Sequence, residues 1–258
     1  MEEEGVNDMS NFIETMQKTF ASIQENLVFI LISLFMVVVV YFAAFGCEKL
    51  IEKKNNIKFS SEKTKINKLV VMAMLAAIAV VLMYFEFPLT FIAPAFYELD
   101  LSEVPVMIGS FLLGPCAGVI IEAVKVLLKI VLKGTTTAFV GDFANFILGC
   151  VFVIPAAVIY HIHKTKKRAI FGLIVGSLTL IVSGVFLNAF YLLPKYSQLY
   201  GMPIETFIEM GHSINGSIHN ILTFVVLAVA PFNLIKSLLV SIITIFLYKY
   251  LSRLLKVH

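Results

Sequence analysis

The sequence predicts an all-α polytopic membrane protein, and three observations carry that expectation. Hydrophobic residues make up 59% of the chain and charged residues only 14%, a balance outside the range of soluble domains. Uncharged runs at 27–45, 69–85, 143–160 and 169–194 are each about long enough to cross a bilayer as a helix. The basic residues are also sorted. Of the 20 lysines and arginines, 14 fall in three clusters, at 47–68, at 161–168 and from Lys249 onward, which assigns these clusters to the cytoplasmic side.

Taken in order, residues 1–25 place Met9, Phe12, Ile13, Met16, Phe20 and Ile23 at helical spacing. This suggests an amphipathic helix on the outer membrane face or a plain extension of the first span, and both remain open. Residues 26–66 supply one transmembrane helix and a basic cytoplasmic linker. Residues 67–258 then form a six-helix core. Within it the uncharged stretch 104–121 is interrupted by Gly109, Gly114, Pro115 and Gly118. It reads as a tight helical hairpin turning near Pro115, its second arm reaching Lys133. Two outer loops exceed what a connection needs. One, 86–103, holds Phe87, Phe91, Phe96 and Tyr97 beside two prolines, then Asp100 and Glu103; the other is 196–217. An apolar stretch, 218–230, leads into a final span from near Pro231 to near Tyr250. Every span then alternates: seven crossings of the plasma membrane, N-terminus outside, C-terminus cytoplasmic.

Several functions are excluded. Cys47, Cys116 and Cys150 sit at cytoplasmic ends or within spans and suggest no disulfide framework. The net charge of +3 belongs to membrane-flanking loops and calls for no nucleic acid. The first hydrophobic run follows an acidic segment, unlike a cleavable signal peptide. No Gly-x-x-x-x-Gly-Lys-Ser/Thr string occurs, so ATP-driven work would need another subunit. His161-x-His163 lacks a nearby acid or thiol, and His212 and His219 are no more persuasive. No catalytic constellation, metal set or cofactor motif is found, and the chain is expected not to be an enzyme.

What remains is a polar group at one depth. Lys236 stands in the last span within Ala230-Pro231-Phe232-Asn233-Leu234-Ile235-Lys236, and a cation at membrane depth normally faces a cavity, a partner or a ligand. Asn233 lies one turn away on the same face. At about 1.5 Å per residue, Asn188 reaches the same outer level, as does the aromatic loop. Amides and an ammonium so placed suit a planar heterocycle with alternating acceptors and donors. Glu122, Lys125 and Lys129 share another helix face, where Glu122 and Lys125 either neutralise each other or serve a ligand. Asn145 either contacts the ligand or bonds between helices. Ala73 and Ala77, at i and i+4, let another helix approach closely, and Gly172-x-x-x-Gly176 suggests packing inside the core.

The residues Tyr97-Glu-Leu-Asp100-Leu101-Ser102-Glu103-Val-Pro105, Leu113-Gly114-Pro115-x-x-Gly118, Glu122-x-x-Lys125, Asn145-Phe146 and Ala230-Pro231-Phe232-Asn233-x-x-Lys236 come in an order that resembles the riboflavin-specific S components of energy-coupling factor (ECF) transporters. The resemblance covers about 67–258. It implies a six-helix bundle that captures riboflavin from outside and works with a transmembrane T component and two ABC-type ATPases, toppling in the membrane to deliver the vitamin. It further implies that Asn233, Lys236 and Asn188 contact the isoalloxazine ring. The segment holding Tyr97, Asp100, Leu101 and Ser102 would cover the ligand, and Ala73 and Ala77 would dock the T component; Lys125 and Asn145 stand as ligand-binding candidates on their positions alone. Other readings are an S component for thiamine or a modified purine, and a non-catalytic membrane assembly protein. The N-terminal 66 residues depart from the resemblance.

Overall fold

The computed structural model describes Gln17, residues 26–56, Phe59 and residues 65–254. The amphipathic segment expected within 1–25 lies, Gln17 aside, outside the described residues. Helix α1 spans Leu27–Asn55 and α2 Lys65–Tyr84. A short antiparallel ribbon follows, β1 (Phe87–Pro88) pairing with β2 (Glu98–Leu99) in the register Phe87 to Leu99. Then come α3 (Glu103–Leu113), α4 (Pro115–Lys133), α5 (Val140–Ile162) and α6 (Lys166–Leu187). Helix α7 (Leu193–Tyr200), α8 (Ile204–Ile214), α9 (Ile221–Phe224) and α10 (Ala230–Leu254) complete the chain. Five helical stretches among the described residues are long and apolar enough to cross a membrane.

The expected hairpin is α3–α4, and it forms the centre of the bundle. Every residue of α3 except Leu112 is buried, against α2, α4, α5 and α10. The turn is Gly114 at φ 114°, a conformation that L side chains rarely adopt, and Pro115 opens α4 where its missing N–H costs nothing. Helices α5 and α6 approach most closely. A Cβ at Gly172 or Gly176 would meet the carbonyl oxygens of Ala156 or Phe152 at 2.5 Å, so these glycines do pack inside the core.

Helix α1 is tied to the core chiefly at its C-terminal end. The Glu48 carboxylate accepts the Cys116 N–H at 2.8 Å. The Asn55 amide donates to the carbonyls of His161 and Ile162 at 3.1 and 3.0 Å. These are the backbone groups that the start of α4 and the end of α5 leave unpaired, so α1 caps two core helices with its side chains.

Two expectations need correction. The final span does not begin near Pro231: helical structure starts at Ile221, behind an Asn220 capping box with Thr223, and continues through Pro231. Nor is 196–217 a plain loop, because it carries the end of α7 and all of α8. One device explains how both long helices pass a proline. Asn188–Leu192 ahead of Pro194 and Val225–Val229 ahead of Pro231 are π-helical. A proline ring collides with the carbonyl four residues back, here that of Phe190 or Leu227. Each carbonyl lies inside a π-turn, whose wider coil moves it aside.

Candidate ligand-binding site

The first π-turn also aims a side chain. Asn188 opens it, buried, and faces a cavity of about 160 Å3 between the β-ribbon loop, the start of α3, α5, α6 and α10. Tyr97, Asn145, Asn188, Asn233 and Lys236 all line this cavity, so five of the nine ligand-binding candidates read from the sequence converge on one space. The aromatic rings of Phe96, Tyr196 and Phe232 complete its walls.

The polar groups are held tightly. Asn188 accepts a hydrogen bond from the Tyr97 hydroxyl at 2.6 Å and donates its amide to the Gly184 carbonyl at 2.8 Å. Asn233 presses so closely on α6 that a Cβ at Gly184 would sit 2.4 Å from its amide nitrogen. Lys236 pairs with Asp100 at 3.0 Å, and the other Asp100 oxygen accepts the Ser102 N–H at 2.7 Å. Burial alone would push the Asp100 carboxyl up. The ammoniums of Lys236 and Lys125 outweigh that effect and hold it at about 2. With the folded-state value depressed, the stability Asp100 contributes is present above the ordinary carboxylate range and is lost only as pH falls through about 2. The Asp100 carboxylate is therefore ionised near neutral pH.

The remaining candidates stand outside the cavity lining. Asp100 and Ser102 are buried behind it, and Leu101 is half-buried against the central core. Lys125 is wholly buried and bridges Glu103 at 2.9 Å and Glu122 at 2.8 Å. The neutralising pair anticipated on α4 thus exists, with a third member. Lys129 pairs with Asp142. Ala73 and Ala77 are exposed on α2, far from this space in role: they lie among Leu69, Val70, Met74, Ile78 and Val81 on a bare apolar face. Glu103, Gly141 and Tyr196 line the cavity without having been singled out as ligand contacts. Glu103 opens α3 as an acidic first-turn residue, a signal that points to capping rather than to a pocket.

No group of three or more His, Cys, Asp or Glu side chains among the described residues is placed to hold a metal ion. His161 donates its Nε2–H to the Ser110 carbonyl at 2.9 Å, and His212 bonds the Ile218 carbonyl.

A helical membrane bundle with an amide-lined cavity fits one class, the membrane-embedded substrate-binding proteins. Comparison with known proteins narrows it. The family model for the ECF transporter substrate-specific component matches residues 67–248, and the chain belongs to that family. It is a multi-pass membrane protein. The riboflavin transporter RibU of Staphylococcus aureus (strain TCH60) is 34% identical over 189 residues, covering 73% of this chain and 92% of the relative. The riboflavin transporter FmnP of Bacillus subtilis (strain 168) is 32% identical over 180 residues, covering 69% and 88%. A solved structure of the S component of a bacterial ECF transporter superposes with a TM-score of 0.57 at 36% identity, covering 73% of this chain and 97% of the other. Helix α1 lies outside the residues the family model matches.

Proposed function

We propose that this protein is the substrate-binding subunit that captures riboflavin from outside the cell for ATP-driven uptake. The observation that carries the reading is the convergence of Asn188, Asn233 and Lys236 on one aromatic-walled cavity. A flavin ring edge alternates carbonyl and imino groups, which two amides and an ammonium can match, while its faces lie against aromatic and apolar walls. The family membership and the printed names of the relatives support the same ligand.

The cavity holds about 160 Å3, below the roughly 300–1,000 Å3 of small-molecule sites. Its polar partners are already matched by the loop that carries Tyr97 and Asp100. Capture therefore exchanges those contacts for the ligand's own acceptors, with the loop moving outward and then closing over the ring. The energy for release comes from elsewhere. A T component docks on the α2 face bearing Ala73 and Ala77, and two ABC-type ATPases hydrolyse the nucleotide. The lysine sorting supports an N-terminus outside and a cytoplasmic C-terminus, which opens the loop side to the exterior.

Protein purified from cells grown with riboflavin is expected to be yellow and to show flavin absorbance. Colourless protein that instead releases thiamine or a purine on denaturation would assign the fold another ligand. The Gly184 contact offers a finer check. Gly184→Ala puts a methyl group where the Asn233 amide now sits, and riboflavin affinity is expected to fall about tenfold, the cost of one misplaced buried hydrogen bond. Equilibrium titration of the purified variant measures it.

A further inference from the structure

Lys125 is fully buried yet does not line the cavity, and the count of its hydrogen bonds explains why. Its ammonium has three N–H groups and accepts nothing. It donates to Ser102 Oγ at 3.1 Å, Glu103 Oε1 at 2.9 Å and Asn145 Oδ1 at 3.4 Å, and a fourth oxygen, Glu122 Oε1, forms an ion pair with it at 2.8 Å. No N–H is left to offer a ligand. These oxygens come from the loop, α3, α4 and α5, so one side chain joins four elements just behind the cavity wall. At Gly149 that wall is a bare backbone. A Cβ there would meet Glu122 Oε1 at 2.5 Å and Glu103 Oε1 at 3.1 Å, so the glycine is what lets the carboxylates come up behind the site.

Glu103 also lines the cavity, and so does Asn145. Its amide has one accepting end and one donating end, and an ammonium can meet only the accepting end. The flipped amide would set N–H against N–H beside a positive charge.

We propose that Lys125 is a positioning residue for ligand selection: it fixes the Asn145 amide so that the cavity receives only N–H donors at that point, and the site thereby selects a ligand carrying a hydrogen-bond acceptor there. The proposal rests on the reading of this cavity as the riboflavin site. It assigns Lys125 no contact with the ligand.

The test uses the full-length purified protein in detergent, with riboflavin binding followed by fluorescence and unfolding followed by a thermal melt. Asn145→Asp is nearly isosteric. Next to Lys125 it keeps an oxygen facing the ammonium and turns the cavity-facing group from donor to acceptor. Riboflavin affinity is expected to fall at least about tenfold, as for a buried group left facing the wrong partner, while a third carboxylate around one ammonium lowers the melting temperature. Asn145→Ala, which removes the donor without adding an acceptor, is expected to lose less. Wild-type affinity in folded Asn145→Asp overturns the proposal. Should that variant not fold, Lys125→Met combined with Glu122→Gln keeps the charge of the group unchanged and frees the amide. Its affinity is expected to fall although neither residue touches the cavity, and unaltered affinity overturns the proposal equally. Where all the variants fold, adding Asn145→Asp to the freed background is expected to change affinity much less than in the wild type, the coupling that a double-mutant cycle isolates. Failure of the wild-type protein itself to bind riboflavin would instead sink the functional reading on which this rests.

Discussion

Lys236→Ala is expected to do two separable kinds of damage. It removes the one ammonium that lines the cavity among the described residues. A hydrogen bond to a charged group contributes about 1.5–3 kcal/mol, so riboflavin affinity should fall roughly 10–150-fold. It also strands Asp100, which is only 2% exposed, without the cation at 3.0 Å that offsets its desolvation. Breaking a buried pair by removing one partner destabilises by about 3–5 kcal/mol. The second effect can be cancelled. Lys236→Ala with Asp100→Asn leaves no buried charge at that point and should regain most of the thermal stability. Binding should stay weak, because the ligand's partner is still missing. A double variant that recovered both properties would show that Lys236 serves the fold and not the ligand. Thermal melts and flavin titration on the same samples separate the outcomes.

The second large effect lies away from the cavity. Ala73→Phe with Ala77→Phe places two bulky rings on the exposed face of α2, where small residues permit close helix approach. Neither residue lines the cavity, so riboflavin binding by the purified variant should match the wild type. Riboflavin uptake by cells supplying the T component and ATPases should drop to background, because the docked complex cannot form. Leu178→Phe, an equally exposed position on α6, is the control and should leave uptake intact. Full uptake in the alanine variant would move the docking surface elsewhere on the bundle.

The parts of this site that could be read from the chain were those governed by helix geometry. Rise per residue and the i, i+3 relation placed Asn188, Asn233 and Lys236 at one level, and all three line the cavity. The hairpin turn was legible because glycine and proline have strong local preferences. What escaped were contacts across the chain. Tyr97 and Asn188 are 91 residues apart, and Asp100 and Lys236 are 136 apart; no local periodicity reports such pairings. Pro231 misled for a related reason. Taken alone it reads as the start of a helix, and only the π-turn ahead of it lets the helix run through. Glu103 was obscured by its own role at the first turn of α3; the Glu122 and Lys125 pair was anticipated, but not that Glu103 joins it from another helix. The attachment of α1 rests on Glu48 and Asn55 meeting helix ends 68 and more than 100 residues away. A lysine-rich boundary drew attention to the charges instead of to those two side chains.

Equilibrium titration of riboflavin into the purified, detergent-solubilised protein tests the central claim most directly. Saturable fluorescence quenching with one site per chain and submicromolar affinity is expected, weakened roughly 10–150-fold in Lys236→Ala and in the double variant Lys236→Ala with Asp100→Asn. Quenching that never saturates, or that is as strong in those variants as in the wild type, would contradict it.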